Sequence, residues 1–228
     1  MVSSVVVAVD GTSGSGKSST CRGVATRLGL GYLDTGAQFR AMTWWLLERG
    51  VDVHDAAAVA ARCGEPWIES GTDPDAPTIT VDGRDVSSAV RSAEVTAAVS
   101  PVSTVPAVRA RLLELQRDTI RRSLERGGIV VEGRDIGSVV WPQAEVKVYL
   151  TADAAARAHR RTAEHAHLGD TTATRAQLLE RDRIDSGRST APLTVAEGAV
   201  RLDTTDLTLE EAVEHVVALV ETAGSRSR

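Results

Sequence analysis

The sequence predicts an α/β protein: a doubly wound, parallel five-stranded sheet carrying a phosphate loop, interrupted by a small antiparallel β insertion. Three observations carry this prediction. Val5–Val9 is an unbroken apolar run rich in valine, the pattern of a strand buried on both faces. It leads through Asp10 into GTSGSGKS at Gly11–Ser18, and a helical stretch follows. Strand-like and helix-like segments then alternate, which implies parallel strands with helices packed on the sheet.

Taken in order, Val5–Val9 is the first strand, Gly11–Gly16 a glycine–serine loop and Lys17–Leu28 a helix. Tyr32-Leu33 forms a short second strand, and a helix runs from Asp34-Thr35-Gly36 to Arg49, where Gly50 stops it. Asp55–Arg62 is a further short helix. From Cys63 to about Val99 prolines and glycines accumulate, and Asp82-Gly83 between β-prone residues signals a two-residue hairpin. A long helix is expected over about Val105–Arg126, ended by Gly127-Gly128. Ile129–Glu132, Val146–Leu150 and Ala199–Asp203 supply the last three strands. Helices are expected at about Asp153–His167, Arg175–Arg188 and Leu209–Thr222, with the GSRSR tail frayed. Residues 1–62 and 100–228 thus make the core, and 63–99 the insertion.

Composition excludes several classes. With 42% hydrophobic and 25% charged residues the chain supports one sizeable core, and a net charge of -5 disfavours a nucleic-acid polymer as partner. No apolar stretch approaches the roughly 18 residues of a membrane span, and the N-terminus lacks the charged leader of a secretory signal. Cys21 and Cys63 have no metal-type spacing and fit a reducing cytoplasm. A monomer is expected. Basic residues are almost all arginine, so a single arginine carries little information. Lys17 and Lys147, the only lysines, carry more.

Gly11–Ser18 matches G-x-x-x-x-G-K-[ST] in the strand–loop–helix context that gives the pattern its meaning. Glycines let backbone N–H groups converge on phosphate oxygens, the helix N-terminus adds positive potential, and Lys17 reaches the terminal phosphates. Ser18 is placed to hold magnesium, and Gly11, Thr12, Ser13, Gly14, Ser15, Gly16, Lys17, Ser18 and Ser19 form the ATP site. Guanine-reading switches are excluded because the chain has no asparagine and Ala37 stands where D-x-x-G needs glycine. Protein kinases are excluded by the same lack of asparagine.

DGTSGSGKSST at 10–20, LDTGAQFR at 33–40, VVEGRDIG at 130–137 and ERDRIDSGRSTAPL at 180–193 together resemble the bacterial cytidylate kinases, in that family's order and spacing. The resemblance covers roughly residues 3–220 and includes the hairpin insertion and EVTAAVSPVSTVPAVRARLLELQR at 94–117. It implies transfer of the γ-phosphoryl of ATP to CMP or dCMP with Mg2+, a monophosphate-binding role for the insertion, and a helical lid at about 160–190 that excludes water. It places Arg40 and Arg134 on the acceptor phosphate, Thr35 beside them, and Ser100, Arg109 and Asp135 at the cytosine ring. Arg181 and Asp185 fall at the ribose hydroxyls and Arg188 at the phosphates, so Lys17, Arg134, Arg181 and Arg188 are the catalytic candidates. Ile184 and Ser186 depart from positions that are often arginine in the family. Glu132 is open between a contact to magnesium-bound water and a local structural role.

Two other readings stay in play. A P-loop kinase acting on AMP, UMP, shikimate or gluconate could share the fold, as could a P-loop ATPase or nucleotide-binding module without an acceptor. A simple Arg134–Asp135 surface pair is the bland reading of the charged turn after the strand at 129–132. His159, His165 and His167 are expected to be solvated helix residues, and Trp44, Trp45, Trp67 and Trp141 to be packing residues.

Overall fold

The computed structural model describes residues 4–164, 179, 182–184, 186–187 and 193–226. Its main sheet is built from β1 (Val5–Gly11), β2 (Gly31–Asp34), β6 (Gly128–Glu132), β7 (Val146–Thr151) and β8 (Val200–Asp203). Their order is β2-β6-β1-β7-β8, and every pairing is parallel. The expected fold class is what the chain adopts. Strand β1 lies in the middle, with Val7 opposite Val130 on one side and Val146 on the other.

Alternation along β1 shows why the run had to be apolar throughout. Val5, Val7 and Val9 face α1 (Lys17–Leu28) and the C-terminal helix (Leu209–Arg226), packing with Val24, Val213 and Val216. Val6 and Ala8 face the other way, into a layer with Leu33, Ile120, Ile129 and Val131. Burying each such side chain is worth roughly 1.5–3 kcal/mol, so a polar residue on either face would be costly.

Helix α2 (Thr35–Glu48) starts directly at the end of β2, where Asp34 caps it by accepting the Ala37 N–H at 3.0 Å. After α3 (Ala56–Arg62), a second, antiparallel sheet is formed by β3 (Ile68–Ser70), β4 (Ile79–Val81) and β5 (Arg84–Asp85). The hairpin predicted at Asp82-Gly83 is present, with φ of 51° and 78° as a two-residue primed turn needs. Asp82 also accepts from the Trp67 N–H and the Trp45 indole N–H, which fastens the hairpin to α2.

Three expectations are corrected. Helix α4 (Ala93–Thr104) was not foreseen. It carries Pro101 and several β-branched residues, so its stability comes from burying Val95, Ala98, Val99 and Val102. The long helix expected over about Val105–Arg126 is present as α5 (Pro106–Leu124), with Pro106 at its first position after the extended residue Val105. The C-terminal helix continues to Arg226, past the expected fraying point, and Thr222 and Ser225 bond back to the Ala218 and Glu221 carbonyls at 2.7 and 2.9 Å. Trp67 is not a packing residue: it is 62% exposed, while Trp45 is buried. His159, on α6 (Ala154–Glu164), is exposed, as expected.

Candidate active site

The C-terminal ends of β1, β2 and β6 meet at one edge of the sheet, and the chain turns there into the phosphate loop, α2 and a charged segment. Gly14 and Gly16 of the loop have φ of 76° and 83°, which side-chain-bearing residues rarely adopt. Lys17 folds back over the loop, donating from Nζ to the Gly11 and Thr12 carbonyls at 3.0 and 2.6 Å. Its enclosure in the loop and the nearby Arg134 guanidinium lower its pKa to about 8.

VVEGRDIG explains itself at the end of β6. Glu132 is buried, and its carboxylate accepts from the Tyr32 hydroxyl and from Ser18. Burial, with Asp34 close by, raises its pKa to about 7. Gly133 is required: a Cβ there would lie 2.5 Å from Ile136 Cδ1 and 2.6 Å from Thr35 Oγ1. Arg134 turns toward the phosphate loop, donating to the Gly11 carbonyl at 2.7 Å. Asp135 turns the opposite way. A π-helical turn at Ile136–Val140 follows, held by buried Asp10, which accepts the Ile136 and Gly137 N–H groups at 2.7 and 2.8 Å. Burial outweighs these two bonds and raises Asp10 to about 6. Asp10 therefore positions Arg134 and Asp135 by tethering the segment after them to β1.

The raised Glu132 pKa has a stability consequence. The unfolded side chain titrates near 4.5 and the folded one near 7, so the native state binds the extra proton between those values. The contribution is fully present below the lower value and is lost as pH rises through the upper one. Glu132→Gln keeps an acceptor for Tyr32 and removes the titration. Thermal or urea unfolding should show the wild type losing roughly 1.4 kcal/mol more per pH unit than the variant across this window. Parallel pH curves for the two proteins would contradict the assignment.

One cavity joins these groups to residues of α2, α4 and α5. Phe39 and Val99 form its apolar walls, and Arg40, Arg91, Ser100 and Ser103 also line it. Arg40 donates to Thr96 Oγ1 at 3.0 Å. At the far end Arg109 and Asp135 form a buried ion pair, each about a tenth exposed or less. Arg109 also donates to the Ser103 carbonyl at 3.2 Å and lies over the Phe39 ring. Asp135 therefore pairs with Arg109, not with Arg134, so a surface Arg134–Asp135 pair is not what the turn forms.

Of the residues singled out in the sequence, Ser13, Gly14, Gly16, Lys17, Ser18, Ser19, Thr35, Arg40, Ser100, Arg109, Arg134 and Asp135 all border this cavity. Thr35 spends its hydroxyl on the Glu132 carbonyl at 2.8 Å. Arg181, Asp185 and Arg188 lie outside the described residues, as does most of the segment expected to form the lid. Asp10, Asp34, Tyr32, Arg157 and Asp182 were missed. Asp10 and Asp34 had a signal, an acid at the very end of a buried strand. Arg157 had none, being one arginine among many.

Magnesium fits the polar corner under the phosphate loop. The Ser18 hydroxyl stands beside the Glu132 carboxylate, with Asp34 in the adjoining strand position. All are hard oxygen donors, and the Glu132 pKa is raised by burial and then by the nearby Asp34 carboxylate, with Lys17 acting the other way. No group of three or more His, Cys, Asp or Glu side chains suited to a metal occurs among the described residues.

A phosphate loop that opens into a cavity lined by arginines defines a P-loop phosphotransferase. Two solved structures share the fold: a sugar kinase from Janibacter sp. HTCC2649 and a gluconokinase from Sinorhizobium meliloti, each with a TM-score of 0.51 at 15% identity. The matches cover 97% of both chains for the first, and 99% of this chain and 96% of the other for the second. The cytidylate kinase family model matches residues 7–222. A cytidylate kinase of Streptomyces avermitilis is 56% identical over 96% of this chain and 94% of its own, and one of Rhodococcus opacus 48% over 96% and 95%. That of Mycobacterium leprae is 44% identical over 95% and 96%. The chain belongs to the cytidylate kinase family.

Proposed function

We propose that the protein transfers the γ-phosphoryl group of ATP to CMP or dCMP, giving ADP and CDP or dCDP. The observation that carries this reading is the single cavity running from the phosphate loop to the Arg109–Asp135 pair. One end suits a triphosphate. The other offers an apolar slot between Phe39 and Val99 that ends in a carboxylate, which accepts from the exocyclic amine of cytosine and repels the carbonyl of uracil.

Donor and acceptor are both polyanions, and the acceptor phosphate is already ionised near neutral pH, so no general base is needed. The chain's task is to neutralise and align. Lys17 and the loop N–H groups hold the donor phosphates, while Arg134 stands between the loop and the acceptor. Arg40 and Thr35 are assigned to the acceptor phosphate side, and Ser100, Arg109 and Asp135 to the base. Arg181, Asp185 and Arg188 are assigned to the ribose and phosphates from the lid, the region around 160–190. Ser18, backed by Glu132 and Asp34, would hold Mg2+, which supplies charge neutralisation across the phosphate oxygens when bound. The 63–99 insertion would flank the monophosphate site. The reading has the enzyme act as a cytoplasmic monomer without a nucleic-acid partner, in keeping with two buried free cysteines. No helix among the described residues is long and apolar enough to cross a membrane.

Steady-state kinetics with ATP and magnesium on CMP, dCMP, UMP and AMP test the proposal. CMP or dCMP should exceed UMP and AMP in kcat/KM by at least tenfold. Equal use of AMP would point to another P-loop kinase, and ATP hydrolysis indifferent to CMP would point to an ATPase.

A further inference from the structure

The phosphate loop is already in contact with an anion, and that anion belongs to the protein. The carboxylate of Asp182 accepts the Ser13 N–H of the loop at 3.0 Å through Oδ1. The same oxygen lies 3.4 Å from Arg134 Nη1, and Oδ2 is bound by the buried guanidinium of Arg157. Arg157 also donates to the Ser13 carbonyl at 3.0 Å, so this arginine is part of the loop's wall. A backbone N–H of the phosphate loop, an arginine from the end of β6 and an arginine from α6 thus converge on one carboxylate. These are the kinds of donor a phosphoryl group takes. Lys17, a few residues along the loop, has its pKa lowered chiefly by enclosure and then by Arg134, while the Glu132 and Asp182 carboxylates act the other way.

We propose that Asp182 is a built-in counter-anion, an intramolecular stand-in for nucleotide phosphate that ATP must displace from the loop. In the ligand-free protein it neutralises Arg134 and Arg157 and holds them at the loop, ready for the ligand. For ATP it is a competitor. An apparent affinity falls by the fraction of molecules in which the site is open, so a carboxylate bound nine-tenths of the time weakens ATP about tenfold. The consequence is a linked pair of effects of opposite sign. Without Asp182 the empty protein is less stable, because clustered guanidinium groups lose their anion, yet it binds polyphosphate more tightly. A residue with a merely structural role would lower stability without improving binding.

The inference rests on the phosphate loop being the ATP site. Inorganic tripolyphosphate is a suitable probe because it carries no base or ribose. Titration calorimetry on the full chain should show Asp182→Asn binding tripolyphosphate and ATP about tenfold more tightly than wild type, while the unliganded melting temperature falls. Asp182→Ser, smaller and equally neutral, should tighten binding likewise, and Asp182→Glu should restore the weaker binding. Unchanged or weaker binding in both neutral variants would overturn the proposal. If Lys17→Ala leaves tripolyphosphate binding to the wild-type background untouched, the fault lies instead with the assignment of the ATP site.

Discussion

Lys17→Ala should lower kcat by about a thousandfold, roughly 4 kcal/mol of transition-state stabilisation, and leave the fold intact. Lys17 is the one cation that the loop itself provides to the donor phosphates. Its present partners, the Gly11 and Thr12 carbonyls, are neutral acceptors that a phosphate would outcompete. Stability should move the other way. The folded pKa, about 8, lies below the ordinary 10.5, so the unfolded chain binds the proton more tightly across that interval. Charged Lys17 is therefore a burden on the native state below pH 8, and its removal should leave the melting temperature unchanged or raised. Turnover and melting curves on the same preparation separate loss of chemistry from loss of fold. A variant with near-wild-type turnover would remove Lys17 from the mechanism.

How far the sequence reaches depends on how local each cause is. Strands β1 and β6 were legible because burial on both faces forces continuous apolar runs such as VVVAV and IVV. Asp82-Gly83 was legible because a two-residue hairpin turn demands positive φ. Helix α4 was not, since Pro101 and its β-branched residues argue against a helix, and burial of Val95, Val99 and Val102 against its neighbours holds it. The site divides the same way. GTSGSGKS and EGRD are contiguous, so their chemistry can be read in place. By contrast, the bond from Ser13 to Asp182 joins residues 169 apart, and the Arg109–Asp135 pair joins α5 to the turn after β6. Adjacent Arg134 and Asp135 suggested a pair in sequence, but the backbone at the end of β6 sends the two side chains to opposite ends of the cavity. The Asp10 tether on Ile136 and Gly137 fixes the backbone there.

That divergence gives the specificity experiment its shape. Asp135→Ala should erode the preference for CMP over UMP by roughly 1–3 kcal/mol, about fivefold to 150-fold in the ratio of kcat/KM, with little change in KM for ATP. The alanine variant has a second effect, because it strands the buried Arg109 without its carboxylate. Breaking a buried pair in this way costs roughly 3–5 kcal/mol, so a general fall in activity could hide the change in selectivity. Asp135→Asn avoids much of this. It keeps an oxygen for Arg109 and can present an amide N–H to the base, which suits the carbonyl of uracil and not the amine of cytosine. The expected order of the CMP:UMP ratio is therefore wild type, then Ala, then Asn, although Asn is the milder change in shape. A purely structural Asp135 would give the reverse, with Asn close to wild type and Ala impaired on both acceptors alike. The order of those two variants decides whether the carboxylate at the end of the cavity chooses the base or merely holds Arg109.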